Sequence, residues 1–347
     1  MKQNKNLMKN RLDMGYGNPG FLQELWNKDI PYDIDGAVFN NMPYSSSKDI
    51  LPALEKQIKA IHKKHKNCQI NKESEIIVTV GAAQAVQAAL YAYKKLDKTN
   101  VYIPAPHWGR LVTYAKMQSY SVAYSTIDAE YRLADKKNLI SLITSPNNPT
   151  GEMQTDLAAD IRDACYNWPQ YIDKPALLND KVVVFSLSKL TGHSSTRIGW
   201  AIVNDPEIAQ YMKEYIEIST SGVSLEAQYN AAYALETIQS GMYLKNDDKF
   251  DFFKVARTKL KIRIEIVKDV IREFNLPIKV ISKGGMFLYI ETRPQLIHDL
   301  KITCFAGSAS GDTNKDRFRL NIGCDTKTFV TFIDRLEYIG KLYKTKN

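Results

Sequence analysis

A lysine flanked by hydroxyl side chains and followed by an arginine is the strongest chemical feature of the sequence. Ser186 and Ser188 precede Lys189 at the end of the apolar run VVVFS, and Arg197 follows within the same segment, SLSKLTGHSSTRIGW. A lysine amine can form a Schiff base with an aldehyde, and a dry site or a nearby cation lowers its pKa towards neutrality. The Ser186 hydroxyl and the Arg197 guanidinium are natural phosphate ligands. Most lysines are surface residues, but the apolar and small residues around Lys189 disfavour a solvated position.

Two short turns could present further groups to the same ligand. VGAAQ at residues 80–84 joins an expected strand to an expected helix. Its small side chains would let a phosphate approach the backbone N–H groups and the positive end of the helix dipole. PNNPTG at residues 146–151 is stiffened by its prolines, so it can hold an asparagine side chain in a fixed position. Each segment is also compatible with an ordinary turn or loop.

An acidic and aromatic segment, DACYNWPQY at residues 163–171, completes the set. An aspartate can keep a pyridine nitrogen protonated, and Tyr166 would share a helix face with Asp163 if the segment were helical. Without further context the segment is typical of a helix end that a proline stops.

The elements that must position these residues alternate between strand and helix, as in α/β proteins. We expect strands over residues 75–80, 100–106, 138–151, 181–190 and 197–204, and a helix over residues 81–96. Beyond about residue 205 the sequence predicts helices, then the strand-like pieces IKVIS, GGMFLYIE and RFRLNIG, and a final amphipathic helix. Ligands of open α/β sheets collect beyond the carboxyl ends of the strands, which is where the clusters lie. We predict a large domain over residues 40–225 and a smaller domain built from residues 1–39 and 226–347.

Composition excludes several other classes of protein. The 347 residues are 44% hydrophobic and 24% charged, which is typical of a folded globular chain. No apolar run is long enough for a membrane span, and no apolar stretch follows the basic start, so we expect a cytoplasmic location and no membrane partner. The four cysteines are scattered, which argues against a zinc site and a disulfide scaffold. The net charge of +9 is spread along the chain without an RNA-binding signature, so we expect no nucleic-acid partner.

Taken in order, these segments resemble the fold-type-I pyridoxal-phosphate enzymes, and more closely their alliinase/tryptophan aminotransferase branch. The segments that carry the resemblance are GNPGFLQELW (17–26), SPNNPTG (145–151), DACYNWPQY (163–171), FSLSKLTGHSSTRIGWAIV (185–203), SGVSLEAQ (221–228) and RFRLNIG (317–323). The resemblance covers nearly the whole chain. It implies an α/β fold in which a mostly parallel seven-stranded sheet lies between helices, beside a smaller α+β domain.

The resemblance also implies a role for each matching position around the cofactor, pyridoxal 5'-phosphate. Lys189 would carry the cofactor as a Schiff base and shuttle the proton, and Asp163 would pair with the pyridinium nitrogen. Tyr166 and Asn148 would hydrogen-bond the phenolic oxygen, and Trp108 would stack on the ring, although it could equally be a core residue. The phosphate would be held by Ala82, Ala83, Ser186 and Arg197. The turn reads GAAQ where the family commonly has a hydroxyl residue, so one phosphate contact is expected to be missing.

For the substrate, the resemblance implies that Arg319 grips the α-carboxylate and that Gly17 and Asn148 also lie close to the substrate. Arg317 shares the strand face of Arg319, and strand alternation cannot separate the two; the family pattern favours Arg319. Tyr44 is the candidate for reaching the phosphate of a partner subunit, since family sites lie at the interface of a homodimer.

The reaction that these roles imply is transamination, in which an L-amino acid, aromatic or hydrophobic by preference, passes its amino group to a 2-oxo acid. The alternative is a β-eliminating C–S lyase of the alliinase kind, which shares the same residues up to the carbanion. The absence of a cysteine-rich N-terminal module, which plant alliinases carry, weakens that alternative. A non-catalytic protein that kept the fold is a third possibility, and the presence together of Lys189, Asp163, Asn148 and Arg197 argues against it.

Overall fold

The structure, a computed structural model, describes residues 7–26, 50–124, 137–243 and 249–344. Tyr44 lies outside these residues. The α-helices are α1 (Gly20–Gln23), α2 (Pro52–His65), α3 (Gly81–Lys95), α4 (Gly109–Met117), α5 (Leu187–Leu190), α6 (Pro206–Thr220), α7 (Leu225–Ser240), α8 (Phe252–Glu273), α9 (Pro294–Asp299) and α10 (Thr326–Lys344).

The β-strands form one large sheet, one smaller sheet and two short pairs. They are β1 (Leu12–Asp13), β2 (Glu75–Thr79), β3 (Asn100–Tyr102), β4 (Ser121–Ala123), β5 (Leu139–Thr144), β6 (Ile161–Asp163), β7 (Val182–Ser186), β8 (Gly199–Val203), β9 (Met242–Tyr243), β10 (Lys249–Phe250), β11 (Ile278–Val280), β12 (Phe287–Thr292), β13 (Ile302–Thr303), β14 (Phe305–Ala306) and β15 (Arg317–Asn321).

The large sheet has seven strands in the order β2-β8-β7-β6-β5-β3-β4. The pairs from β7 through β6, β5 and β3 to β4 are parallel, and β8 runs antiparallel to both β7 and β2. Both β7 and β8 are buried along their whole length, as expected for strands that helices cover on both faces. Helix α3 packs on α6 and on β8 and β7. The predicted fold class, with a mostly parallel seven-stranded sheet, is confirmed.

Two local predictions were wrong. The strand expected over residues 181–190 ends at Ser186, because the Ser186 hydroxyl accepts the N–H of Ser188 and caps α5, which carries Lys189. The segment from Asp163 is not a helix end but the end of β6 followed by a turn, in which Asn167 N–H donates to Ala164 O. The sequence did not predict the short strands β4 and β6. Each has only three residues, too few to show the alternation of apolar and polar side chains that indicates a strand.

A second core lies under the smaller antiparallel sheet, whose strand order is β11-β12-β15-β14. Its apolar residues come mainly from this sheet and from α8 and α10. The N-terminal strand β1 pairs with β13, which joins the start of the described chain to the C-terminal third. The predicted boundary at residue 225 assigns α7 to the smaller domain, but its residues Ala231, Leu235 and Ile238 belong to the larger core. We therefore propose that the large domain extends beyond residue 225 to include α7.

No helix within the described ranges is long and apolar enough to cross a membrane. The same ranges contain no group of His, Cys, Asp and Glu side chains that could hold a metal ion.

Candidate active site

The parallel strands of the large sheet end in polar side chains at one edge. Thr144, Asp163 and Ser186 are the last residues of β5, β6 and β7. Thr144 and Asp163 are direct register partners, and Asp163 pairs with Val184 of the next strand. The edge is therefore the crevice in which open α/β sheets bind their ligands.

Lys189 projects from α5 into this crevice. Its side-chain nitrogen donates a hydrogen bond to the carbonyl oxygen of Gly17, and its own carbonyl oxygen accepts the Tyr171 hydroxyl at 2.7 Å. Burial lowers the pKa of Lys189 from 10.5 to about 8; the Cys165 and Asp163 side chains oppose this change, and the nearby Arg319 and Arg197 guanidinium groups add to it. A substantial fraction of the amine is therefore neutral slightly above physiological pH, which a nucleophile or a proton acceptor requires.

Asp163 is buried beside this amine. Its Oδ1 accepts the Cys165 backbone N–H at 3.2 Å. Burial raises the pKa of Asp163, while hydrogen bonds from Cys165 and the charge of Lys189 act in the opposite direction. The structure thus brings Lys189 and Asp163 into one buried pocket, where an ionised carboxylate needs a cationic partner.

Tyr166 and Asn148 lie on the side of the pocket that faces the smaller sheet. The Tyr166 ring packs edge-on against Phe287, with 5.7 Å between the ring centroids, and its hydroxyl hydrogen-bonds to Asn148. Burial raises the pKa of Tyr166 above its usual range. Its hydroxyl is thus a neutral donor held beside an amide.

Arg319 closes the pocket from β15. Its Nη1 donates to Asn148 Oδ1 at 2.8 Å and its Nη2 to the Gly15 carbonyl oxygen at 2.8 Å. The guanidinium carbon lies 4.2 Å from the Phe287 ring centroid and 4.5 Å from that of Phe305. A buried guanidinium between two aromatic faces is well placed for a planar carboxylate.

Arg317, the other candidate for this role, has different partners. It is paired with Asp312 at 3.1 Å and with Glu291 at 3.2 Å. Since its charge is already neutralised by two carboxylates, the geometry favours Arg319 as the carboxylate ligand.

At the opposite end of the pocket, Arg197 lies against the N-terminus of α3. A side chain on Gly81, which has a φ of +73°, would collide with the Arg197 guanidinium. A Cβ on Gly199 would meet the backbone nitrogen of Ala82, and Gly199 is the register partner of Ser186. The Arg197 guanidinium therefore lies at the first turn of α3, which carries Ala82 and Ala83, and Ser186 lies opposite Gly199 on the neighbouring strand. A cation and free helix N–H groups there make an anion site.

Ordinary packing contacts surround the predicted ring-stacking residue, Trp108, and two histidines of neighbouring segments. Trp108 immediately precedes α4, and its ring lies edge-on to Tyr114 at 6.1 Å. His107 is buried and stacks on Tyr124. His193 packs edge-on against Trp26. The stacking role of Trp108 stays a prediction, as does the role of Tyr44.

Sequence reasoning missed several parts of the pocket. The Gly15 carbonyl, which binds Arg319, is invisible in a side-chain pattern. Phe287 and Phe305 belong to strands whose apolar residues are typical of any core. Cys165 lies two residues after Asp163, and Thr144 is the register partner of Asp163. The polar ends of neighbouring strands could have indicated Thr144.

These residues fit pyridoxal phosphate on the evidence of the pocket itself. An anion cup at the start of α3, an amine on α5 and a buried carboxylate match the phosphate, aldehyde and ring nitrogen of that cofactor. The Ser188 hydroxyl and Arg319 Nε are also buried without a hydrogen-bond partner within the described residues, so polar atoms are available to a ligand. The fold and site define a fold-type-I enzyme that uses pyridoxal phosphate.

Comparison with known proteins identifies the branch. The model of the family described as Allinase, the alliinase C-terminal family, matches residues 12–280. Tryptophan aminotransferase-related protein 1 of Oryza sativa subsp. japonica is 31% identical over 324 residues, covering 82% of this chain and 71% of the relative. The chain belongs to this alliinase family.

Another relative of the alliinase family and two solved aminotransferase structures are also similar to this chain. Alliin lyase of Allium cepa var. aggregatum is 25% identical over 246 residues, which cover 65% of this chain and 54% of the lyase. The chain thus spans only about half the length of some relatives that it matches. An aspartate aminotransferase from Thermotoga maritima superimposes with a TM-score of 0.72 at 20% identity, over 97% of this chain and 95% of the other. Bna3p of Saccharomyces cerevisiae, described as a putative kynurenine aminotransferase, gives a TM-score of 0.75 at 15% identity, with coverage of 98% and 93%.

Proposed function

We propose that this protein is a pyridoxal-phosphate-dependent aminotransferase that moves the amino group of an L-amino acid to a 2-oxo acid, with the cofactor attached covalently through Lys189. One observation carries the proposal. The Lys189 amine and the Arg319 guanidinium each bind a carbonyl of the same short segment, at Gly17 and at Gly15. Because the two carbonyl groups are only two residues apart, we infer that the amine and the guanidinium face the same ligand. The amine would act at the α-carbon of an amino acid, and the guanidinium would bind its α-carboxylate.

Each of these residues then has a separate role in the reaction. When bound, pyridoxal phosphate supplies a ring that withdraws electrons from the substrate α-carbon. Arg319 orients the α-carboxylate through a bidentate contact. Lys189, with its lowered pKa, accepts and returns the proton at its Nζ. Asp163 balances the positive charge of the ring nitrogen, and Arg197 with the start of α3 holds the phosphate.

The test of this proposal is a half-reaction. The purified holoenzyme is mixed with one amino acid and no acceptor, and the cofactor is then extracted and separated by chromatography. We expect the amino acid to convert bound cofactor to pyridoxamine phosphate and to release one 2-oxo acid. A Lys189→Ala variant should bind the cofactor without a covalent link, as shown by mass spectrometry after borohydride reduction, and should not turn over. Cofactor that stays in the pyridoxal form with every donor would exclude transamination.

A β-eliminating lyase is the second candidate, and the similarity to alliin lyases favours it. Both reactions need the same proton removal at the α-carbon, so Lys189, Asp163 and Arg319 serve either one. The discriminating substrate is an S-alkyl cysteine sulfoxide, offered without acceptor. Pyruvate and ammonia formed catalytically would replace the aminotransferase proposal with the lyase.

For the substrate, we propose an aromatic or hydrophobic amino donor. Phe287 and Phe305 flank Arg319, and relatives are named for tryptophan aminotransferase. A panel of amino donors, each offered with pyruvate and with 2-oxoglutarate, tests this preference. Higher kcat/KM for aspartate or glutamate than for tryptophan, phenylalanine or leucine would contradict it.

We further propose a homodimer in which Tyr44 reaches the phosphate of the partner subunit. Light scattering gives the mass in solution, and subunit mixing tests the shared site. Homodimers of Lys189→Ala and of Tyr44→Ala should both have low activity, whereas their hybrid contains one intact site and should regain activity. A hybrid no more active than its parents would contradict a shared site.

A further inference from the structure

The side chain of Asn321 binds the N-terminal segment, residues 14–18, and has no role in the scheme above. Asn321 is the last residue of β15 and is only 2% exposed. Its Nδ2 donates to the carbonyl oxygens of Tyr16 at 2.6 Å and of Asn18 at 2.9 Å. These two residues flank Gly17, whose carbonyl oxygen accepts the hydrogen bond from Lys189 Nζ. Asn321 therefore holds the segment on both sides of the carbonyl that faces the amine.

The groups around the Asn321 amide fix its orientation. Two carbonyl oxygens face its nitrogen, and its Oδ1 accepts the Gly323 N–H at 2.9 Å. A side-chain amide has two N–H donors and one carbonyl acceptor, so both donors and the acceptor are in use. Rotation of the amide by half a turn would place oxygen against oxygen and would leave buried polar atoms unpaired. The amide is therefore a fixed double donor to the segment.

Other hydrogen bonds attach the rest of the N-terminal segment to the same strand. The Asn321 backbone N–H donates to the Met14 carbonyl oxygen at 2.6 Å, and the Arg319 side chain donates to that of Gly15 at 2.8 Å. The carbonyl groups on both sides of Gly17 thus accept hydrogen bonds from β15, whereas its own accepts one from α5. Because peptide units are planar, holding the neighbouring units restricts the direction of the Gly17 carbonyl.

We propose that Asn321 is a positioning residue, which fixes the Gly17 carbonyl as the hydrogen-bond acceptor of the free Lys189 amine. This inference rests on the proposed function only in taking Lys189 as the reacting amine. A carbonyl oxygen in a fixed position holds the amine at one place in the pocket and favours its protonated form over the neutral form. An amine that is positioned beforehand needs no ordering when its ligand binds. Asn321 thereby acts on the amine through the backbone of the N-terminal segment.

The experiment measures the Lys189 amine in the apoprotein, without cofactor or substrate. Competitive labelling with acetic anhydride from pH 6 to 11, followed by peptide mass spectrometry, gives the neutral fraction of each lysine amine. Asn321→Leu replaces the amide by an apolar group of similar shape and removes both donors. Asn204→Leu is the matched control, because Asn204 also donates to a backbone carbonyl, that of Asp180 at 2.9 Å. It follows β8 at the sheet edge opposite to the pocket.

The labelling rate of Lys189 at pH 7, relative to its plateau at high pH, is the first reading. Burial lowers the pKa of Lys189 to about 8, so about a tenth of the amine is neutral at pH 7 in the parent protein. We expect this relative rate to rise about threefold to fivefold in Asn321→Leu, because the ammonium group loses its acceptor. Asn204→Leu should leave it unchanged. The groups whose charges act on the amine are present in every variant: Asp163, Cys165, Arg197 and Arg319.

Hydrogen–deuterium exchange of residues 14–18 is the second reading. Their backbone exchange should become faster in Asn321→Leu and not in Asn204→Leu, because the segment loses two hydrogen bonds to β15. Should Asn321→Leu not fold, Asn321→Ser carries the same test. Its smaller side chain leaves space for water at the two carbonyl groups, and we expect both readings to change in the same direction.

Three results would overturn the inference. The relative labelling rate of Lys189 could be the same in the Asn321 variant as in the parent protein. The rate could fall, which would mean that the segment excludes water from the amine and does not supply its acceptor. Exchange of residues 14–18 could stay unchanged. None of these measurements uses cofactor or substrate, so a failed half-reaction, which would reject the proposed function, would be recognised separately.

Discussion

The guanidinium of Arg319 donates a 2.8 Å hydrogen bond to the side-chain oxygen of Asn148, which lies 171 positions earlier in the chain. This bond joins the smaller sheet to the loop after β5, and Asn148 also contacts the Tyr166 hydroxyl. Groups expected to bind substrate and cofactor therefore share one hydrogen-bond network across the two cores. Arg319 Nε has no hydrogen-bond partner within the described residues, so a substrate carboxylate can bind there while Asn148 and Gly15 hold Nη1 and Nη2.

Replacing Arg319 with methionine should reduce kcat/KM for amino-acid donors roughly 100-fold, because a buried carboxylate would lose a charged, bidentate partner. Most of the effect should fall on KM. Arg317→Met is the control, since Arg317 lies on the same strand but is paired with Asp312 and Glu291. Steady-state kinetics over a range of donor concentrations measures both. Equal losses in the two variants would reject the assignment of the carboxylate to Arg319.

Lys189→Met should stabilise the apoprotein at pH 7 by about 2 kcal/mol, after allowance for the partial exposure of the lysine. The pKa of Lys189 falls from 10.5 to about 8 in the folded protein. Below pH 8 the folded state therefore bears the full cost of a buried charge. Between pH 8 and 10.5 the unfolded state binds more protons, so the stability of the parent protein rises relative to the variant.

Urea denaturation of both apoproteins at pH 7, 8, 9 and 10 measures this difference. The stability gain of Lys189→Met should shrink as the pH rises through that window. A gain that is independent of pH would mean that the lysine amine is not buried as a cation.

Several residues that the structure places at one edge of the large sheet lie in contiguous segments of the sequence. Lys189, Ser186 and Arg197 belong to one segment, and Asp163 and Tyr166 to another, so their types and spacing were readable together. The family resemblance predicted the seven-stranded sheet, but it did not predict the turn after Asp163. In that turn the Cys165 N–H donates to the Asp163 side chain, and residue propensities do not predict such a side-chain bond.

The remainder of the site depends on tertiary neighbours. Arg317 and Arg319 have the same strand face and nearly the same local sequence, and only the partners across the sheet separate them. Arg319 has Tyr289 and Phe305 as register partners, whereas Arg317 has Glu291. The carbonyl groups of Gly15 and Gly17 reach the pocket because β1 pairs with β13, and no local pattern encodes that pairing.

Arg197→Gln should weaken the binding of pyridoxal phosphate about tenfold or more and leave the binding of pyridoxal, which lacks the phosphate, almost unchanged. The reason is that Arg197 is the charged group beside the first turn of α3. Titration of the apoprotein with each aldehyde, at low and at high salt, measures both affinities. A parallel loss for the two ligands would show that the variant disturbs the pocket as a whole and that Arg197 does not bind the phosphate.

Gly17→Ala should lower kcat/KM about tenfold with little change in the unfolding temperature, because the added methyl group would enter the space beside the reactive amine. Its Cβ would lie 3.3 Å from Phe287 Cζ and 3.7 Å from Lys189 Nζ, and the backbone of Gly17 does not have a positive φ. Gly20→Ala is the contrasting variant, since its Cβ would collide with the backbone of Asp325 and should destabilise the fold. Kinetics and thermal unfolding of both variants separate the two effects. If Gly17→Ala kept full activity, the methyl-sized space next to Lys189 would not be substrate space, and the contacts of Lys189 and Arg319 with Gly17 and Gly15 would not mark an amino-acid site.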